Sequence, residues 1–446
     1  MLLPLLACAP PKPDVVLVSL DTTRADALDA ETTPNLWALA ARGARFTQAY
    51  AHAPTTLSSH ASVWTGLDPH GHRVPRNGYP LAAATPVLPE RLAAAGYDTI
   101  GIIGASALAR PMGMDRGFGT WDEQLSRKHV KRHEARAADV TDRALAHLEE
   151  RRSRTPVFLF VHYYDAHAPY DAPAPWTTRW SDPAYAGPFD GSRAAMTALA
   201  DASRAGTAAA ADIAEARARY RGEVAYLDAE LGRLLATLHD PYVVVFGDHG
   251  EALGDVEERA WGHGPDIDAP ATHVPLLVAG PGVPARVIDT PVALSDVATT
   301  VLALAGGAGR LGQGRDLAPL WKDGEGWLDG SIYLEATQPH EVEATTTWNN
   351  LAMERGVVRG PWMLLRAPWL DQGPTLRPLP VGGSGVSDVS DVSPVSGAAS
   401  RAVPPGFQDA LAAELSAWDA AAPPWRSVSM SDDTTEGLKA LGYLEE

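Results

Sequence analysis

One cysteine, Cys8, stands in 446 residues, so no intramolecular disulfide can form and a disulfide-stapled scaffold is excluded. Positive charge is scarce as well. Lys and Arg number 37 against 55 Asp and Glu, for a formal net charge of −18. That balance argues against a nucleic-acid backbone as partner. It also gives no general attraction to an anionic substrate, so local cations must hold any anion. Beyond the N-terminal residues no apolar run reaches the roughly 20 residues a bilayer-spanning helix needs. What is present is an apolar fraction of 45%, enough for a sizeable core in one large α/β domain or two ordinary ones.

Cys8 ends the run LLPLLAC, which resembles the lipobox of a bacterial lipoprotein signal. The Pro-rich APPKPD follows as a tether would. The expectation is an exported protein, periplasmic or on the cell surface, associated with the membrane through a lipidated Cys8. Against it, a complete signal has a basic leader and about 7–15 apolar residues, and neither is complete here. The alternative is a chance cysteine in an N-terminal run. Residues 1–13 are read as this signal and tether.

Apolar strand-like runs alternate with helical spacing along the chain. DVVLVSL (Asp14–Leu20), PVFLFVHYYD (Pro156–Asp165), PYVVVFGDHGE and HVPLLVAGPG read as buried strands. TPNLWALAARGARF and RGEVAYLDAELGRLLATL read as helices, the second with a stripe at Val224, Leu227, Leu231, Leu234 and Leu235. SDVATTVLALAG reads as a helix capped by Ser295. The pattern predicts an α/β fold with a mainly parallel sheet and helices on both faces. Ligands in such sheets sit beyond the carboxyl ends of strands, where Asp21, Asp165 and Asp248–His249 all fall. VGGSGVSDVSDVSPVSGAAS (381–400) is low-complexity and reads as a flexible insertion. The tail contributes a helix in PPGFQDALAAELSAW and a second short one in TTEGLKALGYL.

Three stretches together point to a family: VSLDTTRAD (Val18–Asp26), TTLSSHASVWTGL (Thr55–Leu67) and FGDHGEALG (Phe246–Gly254). With DRGFGTWD, DAHAPY, WGHG, VPLLVAGPG and LKALGYL in order behind them, the chain resembles the sulfatase family of the alkaline phosphatase superfamily. The resemblance implies a large α/β catalytic domain over 14–330. It also implies a smaller C-terminal subdomain over 331–446 with a short antiparallel sheet. It makes Asp21, Asp248 and His249 ligands of a divalent cation. Carboxylate oxygens suit Ca²⁺, Mg²⁺ or Mn²⁺, and the imidazole leaves Zn²⁺ open. Thr22 stands where many relatives have a further acid or amide ligand.

Laid on the family's nucleophile motif, TLSSHASVWTG puts Thr56 at the residue that sulfatases convert to formylglycine, and Thr55 falls one position early. Ser58 replaces a Pro and His60 an Arg. Thr cannot become formylglycine, so none is expected, and a plain Thr ester must be released by water. Threonine nucleophiles are familiar among phosphodiesterase and phosphotransferase relatives. Phosphoryl transfer is therefore modestly favoured over sulfuryl transfer. The helix after Thr56 would aim its N-terminal N–H groups at an anion. For Ser59 or Ser62 a role as cap of that helix is weighed equally with a substrate contact.

The resemblance also singles out His167 and His263 as acid or substrate-binding histidines. Asn77, Ser106, His60 and Arg24 follow as substrate-facing candidates. Asn77 lies behind a degraded element in which Arg73 replaces Gly. The Trp-rich patches APWTTRW and WNNLAMERGVVRGPW are assigned no role.

Three readings remain open. The first is a metal-dependent hydrolase of anionic sulfate or phosphate esters, of small-molecule, glycan or lipid origin, with Thr56 as nucleophile. The second is a two-zinc phosphodiesterase-like enzyme in which Asp165, His167 and His263 hold the second ion. The third is a non-catalytic sulfatase-like binding protein, suggested by Thr22, Ser58 and Arg73.

Overall fold

The run VVLVSL, three β-branched valines and two leucines around one serine, forms strand β1 (Val15–Leu20), buried along its whole length. In the computed structural model, which describes residues 12–125, 133–151, 155–255, 261–322, 330–337, 353–367, 373–379, 403–423 and 431–441, β1 lies inside a nine-stranded sheet. Its other strands are β2 (Ala44–Tyr50), β3 (Asp98–Ile102), β4 (Thr120–Asp122), β5 (Val157–Tyr163), β6 (Tyr242–Gly247), β9 (His273–Ala279), β10 (Arg286–Ile288) and β11 (Val292–Ala293). A separate short ribbon pairs β7 (Ala252–Leu253) with β8 (Trp261–Gly262). The order is β10-β2-β9-β6-β1-β5-β3-β4, with β11 beside β2. Pairing is parallel except where β9 runs antiparallel to β2 and β6.

Alternation along β1 divides the core into two layers. Val15 and Leu17 join Phe158, Phe160, Val244 and Phe246 on one face. Val16, Val18 and Leu20 join Leu159, Val161 and Val245 on the other. The helices α1 (Pro34–Ala40), α2 (Thr56–Thr65), α3 (Pro69–His72), α4 (Leu88–Ala94), α5 (Ala137–Glu150), α6 (Arg193–Arg204), α7 (Ala210–Leu235), α8 (Ala269–Thr272), α9 (Ser295–Leu304) and α10 (Ala318–Lys322) belong to this large unit. Leu57, Val63 and Trp64 of α2 pack on the first face with Val297 and Val301 of α9. Leu36 of α1, Val140 of α5 and the Val224, Leu227, Leu231 and Leu234 stripe of α7 cover the second. Ser295 is the first residue of α9 rather than its cap, because its hydroxyl lies 2.9 Å from His52 Nε2.

A four-stranded antiparallel sheet, β12 (Ile332–Glu335), β13 (Arg355–Arg359), β14 (Trp362–Arg366) and β15 (Thr375–Pro378), follows with α11 (Phe407–Ala420). It is fixed to the large unit by polar and aromatic contacts. His70 stacks on Trp418 at 3.6 Å between ring centroids, and His70 Nε2 lies 3.0 Å from Glu335 Oε2. Arg355 is buried between Glu335 and Asp419. The last helix, α12 (Asp432–Ala440), does not join that small sheet. It packs on the turn Ser106–Leu108 of the large unit. The proposed insertion at 381–400 and Cys8 lie outside the described residues. No helix among the described residues is long and apolar enough to cross a membrane.

Helix α2 ends at Gly66, whose φ of +68° is the left-handed cap conformation that glycine adopts freely. The Leu311–Gly314 loop closes over it, with Gln313 and Gly314 N–H both donating to the Gly66 carbonyl. A Cβ at Gly66 would meet Leu311 O at 2.1 Å. Gly66→Ala is therefore expected to lower unfolding free energy by more than the roughly 1 kcal/mol of an ordinary left-handed substitution. Denaturant titration of both proteins measures this; a loss near zero would show that the loop simply moves.

Candidate active site

Register alone brings the first two acids together. β1 pairs in parallel with β6, Leu20 opposite Gly247, so Asp21 and Asp248 leave adjacent strand ends side by side. Both are fully buried. Thr22 ties them, its N–H donating to Asp248 Oδ1 (3.0 Å) and its hydroxyl to Asp21 Oδ1 (2.6 Å). To do so it adopts φ +52°, which is strained for a β-branched residue. The hydroxyl proton of Thr22, expected at a metal ligand, is thus held by Asp21.

His249 Nδ1 lies 3.0 Å from Gly250 O, which assigns the proton to Nδ1 and leaves a lone pair on Nε2. That Nε2 is buried with no hydrogen-bond partner, 3.9 Å from Asp21 Oδ1 and 3.7 Å from Asp248 Oδ2. Asp248 Oδ2 is likewise buried and unpartnered. Asp21, Asp248 and His249 form a group whose ligand atoms lie within 4.8 Å of one another. Burial raises the pKa of Asp248, and the charge of Asp21 pushes it higher still. Burial acts the same way on Asp21, but His162 and His249 more than offset it and hold that carboxyl low. Two fully buried carboxylates this close do not both stay charged without a cation. Orphaned oxygen and nitrogen atoms facing each other are the donor set a divalent ion takes.

Thr56 opens α2. Its Oγ1 donates to Asp21 Oδ2 at 3.1 Å. The cap position belongs to Thr55, in extended conformation, but Thr55 does not perform the usual capping bond. Asn77 does that instead: its Oδ1 accepts the Leu57 N–H at 2.8 Å, and its Nδ2 is buried without a partner. Neither Ser59 nor Ser62 caps the helix, because both sit too far along it. Ser59 Oγ donates to Asp248 O and Ser62 Oγ lies 3.1 Å from His72 Nε2.

His60 Nδ1 donates to Thr56 O at 2.7 Å and lies 3.6 Å from Asp248 Oδ2. Burial, with His162 beside it, lowers its pKa to about 3, so it packs as a neutral ring against Phe160, Phe246 and Trp64. Arg24 closes the loop after β1, where Asp26 takes its Nε and Nη2, and Glu251 O and Asp255 take Nη1. With four of its five N–H groups so engaged, it secures the chain on both sides of the site.

One member was missed. His162, inside β5, puts Nε2 3.0 Å from Asp21 Oδ2, the same oxygen that Thr56 contacts. The signal was present: Phe158, Phe160 and His162 alternate onto one face of an otherwise apolar strand.

Above the acids, three imidazoles form a row. The His263 ring centroid is 4.4 Å from that of His249 and 5.2 Å from that of His167. Burial pulls the His263 pKa down, but Glu251, 3.4 Å from Nδ1, outweighs it and the net shift is upward. Burial, with His263 beside it, lowers His167 to about 3; Nδ1 donates to Ala168 O at 2.8 Å. Asp165 points elsewhere. Its Oδ1 accepts the Ala137 N–H that opens α5, and among the described residues no ligand group combines it with His167 or His263. Ser106 opens the turn beneath α12.

A buried acid–histidine site at the carboxyl ends of parallel strands, beside a hydroxyl at a helix start, defines an ester-bond hydrolase of the alkaline phosphatase superfamily. The Sulfatase family model matches residues 13–308, and the chain belongs to the sulfatase family. It is 25% identical over 358 residues to a choline-sulfatase of Rhizobium meliloti, spanning 66% of this chain and 68% of that one. Human iduronate 2-sulfatase is 30% identical over 167 residues, 32% of this chain and 30% of that one. Among solved structures, a phosphonate monoester hydrolase from Silicibacter pomeroyi superposes with a TM-score of 0.64 at 24% identity, covering 82% of this chain and 89% of that one.

Asp165 generates a pH prediction. Its Oδ2 is buried and unpartnered, and burial raises its pKa from 3.8 to about 7. The unfolded chain gives up this proton at lower pH than the folded one, so stability falls as pH rises between those values and is level above them. Each unit of separation is worth up to about 1.4 kcal/mol. Asp165→Asn keeps an oxygen for Ala137 N–H and should flatten that decline. Chemical unfolding of both proteins between pH 4 and 8 tests it, and parallel profiles would count against it.

Proposed function

We propose that the chain is a metal-dependent hydrolase of phosphate or sulfate esters in which Thr56 is the nucleophile, with phosphate diesters or phosphonate esters favoured over sulfates. The observation that carries this reading is the Thr56 hydroxyl, 3.1 Å from Asp21 Oδ2 at the start of α2, beside the unpartnered atoms of Asp248 and His249. Asp21, Asp248 and His249 would hold the cation, with the Thr22 hydroxyl beside them. Bound there, a divalent ion supplies positive charge that favours the alkoxide of Thr56 and neutralises ester oxygens.

The protein's own groups do the rest. Asp21 Oδ2, held by His162, accepts the Thr56 O–H hydrogen bond and orients the hydroxyl, whose proton passes to water as the oxygen attacks. Thr56 Oγ then bonds to phosphorus as the bond to the leaving alcohol oxygen breaks. His263, kept basic by Glu251, gives a proton to that oxygen, and the neutral His167 ring beside it binds the ester. In the second half water attacks phosphorus and gives a proton to His263, while the bond to Thr56 Oγ breaks and that oxygen takes a proton back from water, which restores both groups. Asn77 Nδ2, buried without a partner beside the start of α2, would donate to the anion, and the positive end of that helix would favour it. The preference for phosphorus rests on the side chain itself. Formylglycine expels its ester by collapsing to an aldehyde, and a threonine has no such route. Relatives named as sulfatases and as phosphonate monoester hydrolases keep both ester classes in the test. Export as a lipoprotein through Cys8, toward a small-molecule, glycan or lipid ester, completes the proposal.

Thr56→Ala should reduce turnover by at least about 10³-fold on aryl phosphate, phosphate diester, phosphonate ester or aryl sulfate, with metal content by elemental analysis unchanged. Asp248→Asn should lower the metal content instead. Retained turnover in Thr56→Ala would refute the nucleophile. No bound metal in the wild type would favour the binding-protein reading.

A further inference from the structure

The last helix departs from the subdomain that precedes it, and what it touches points into the site. Leu441, just past α12, is 2% exposed and packs in one apolar cluster with Ala105, Ala107 and Tyr164. The Tyr164 ring in turn stacks on His167, with centroids 4.6 Å apart and planes within 17°. Arg193, at the start of α6, fixes the other side: Nη1 donates to Leu441 O and Nη2 to Ala440 O, both at 3.3 Å. A cation on the last carbonyls of a helix is the favourable end for it. The same guanidinium is close enough to act electrostatically on His167.

The approach of the helix is close. Gly437 faces the turn, and a Cβ there would lie 3.1 Å from His133 Nδ1 and 3.3 Å from Ser106 Oγ. So the segment is seated without a side chain at that point, and Ser106 lies beneath it. Leu438 is also buried, at 3% exposure.

We propose that α12 and Leu441 form the wall of the substrate pocket on the His167 side, and that they position the His167 ring by clamping Tyr164 against it. Leu441, Gly437 and Arg193 are positioning residues; His167 is the group they act through. The proposal rests on the hydrolase reading only for what His167 does in turnover, because the placement of the ring can be read without activity.

Two measurements test it. The first is modification of His167 by diethyl pyrocarbonate, followed by peptide mass spectrometry. In the full-length protein His167 should react slowly. In a chain ending at residue 430, or in Gly437→Val, it should react at least 5-fold faster, with circular dichroism and metal content unchanged. If the truncated chain fails to fold, Leu441→Ala is the second variant, with the same expectation in smaller degree and with Leu441→Met restoring protection.

The second is a double-mutant cycle on whichever ester the enzyme turns over. Leu441→Ala should lower kcat/KM about 10-fold, which is about 1.4 kcal/mol, and have no further effect on His167→Ala. Equal His167 reactivity in wild type and variants, or losses that simply add, would overturn the proposal. Retained turnover in Thr56→Ala would refute the nucleophile reading and leave the reactivity experiment standing, so the two failures are distinguishable.

Discussion

Two carboxylates that are both fully buried and side by side set the terms for this protein. Asp21 and Asp248 are placed by the parallel pairing of β1 and β6, and neither reaches solvent. Isolated, such a pair is costly, because desolvation and mutual repulsion both oppose ionisation. The surrounding structure responds at every point. Thr22 accepts a strained backbone to donate to both acids. His162 and Thr56 share one oxygen of Asp21. His249 turns its proton away to Gly250 O and leaves a lone pair facing the acids. The atoms left unpartnered, Asp248 Oδ2 and His249 Nε2, belong to a group of ligand atoms that could hold a cation.

The helix that carries Thr56 is bound to the same constraint. All ten residues of α2 are buried, which is unusual for a segment with two threonines, three serines and a histidine. The hydroxyls are satisfied one by one: Ser58 on Val74 O, Ser59 on Asp248 O, Ser62 on His72 and Thr65 on Ala61 O. Asn77 takes over the capping bond. A helix this polar can sit in the core because its hydroxyls find partners, although His60 Nε2 within it has none. Its N-terminus is thereby fixed against Asp21 rather than left to fray.

The histidine row separates two protonation tendencies within a few ångströms. Glu251 keeps His263 basic, and burial keeps His167 neutral. Different environments pushing neighbouring groups apart is how one site provides a proton donor beside a neutral contact. The net acidity of the chain does not determine this. For His263 the nearest carboxylate, Glu251 at 3.4 Å, is the largest upward influence and Asp21 adds to it.

Sequence and structure divide the account along a physical line. The apolar runs and helical stripes fixed the α/β class, because burial periodicity is local, and the strand-end acids were visible for the same reason. The motif order identified Asp21, Thr56, Asp248 and His249 as one set. Several matters were settled only by tertiary contact. Thr22 proved to tie the acids, Asn77 to cap α2 and Arg24 to close a loop, since hydrogen-bond partners come from segments up to 231 residues away. His162 sat in an apolar strand with no motif around it, and only the β1–β5 pairing sets it against Asp21. The destination of α12 was hidden entirely. Its spacing shows a helix, but which surface receives a helix depends on a complementary surface elsewhere in the chain, and no local pattern encodes that.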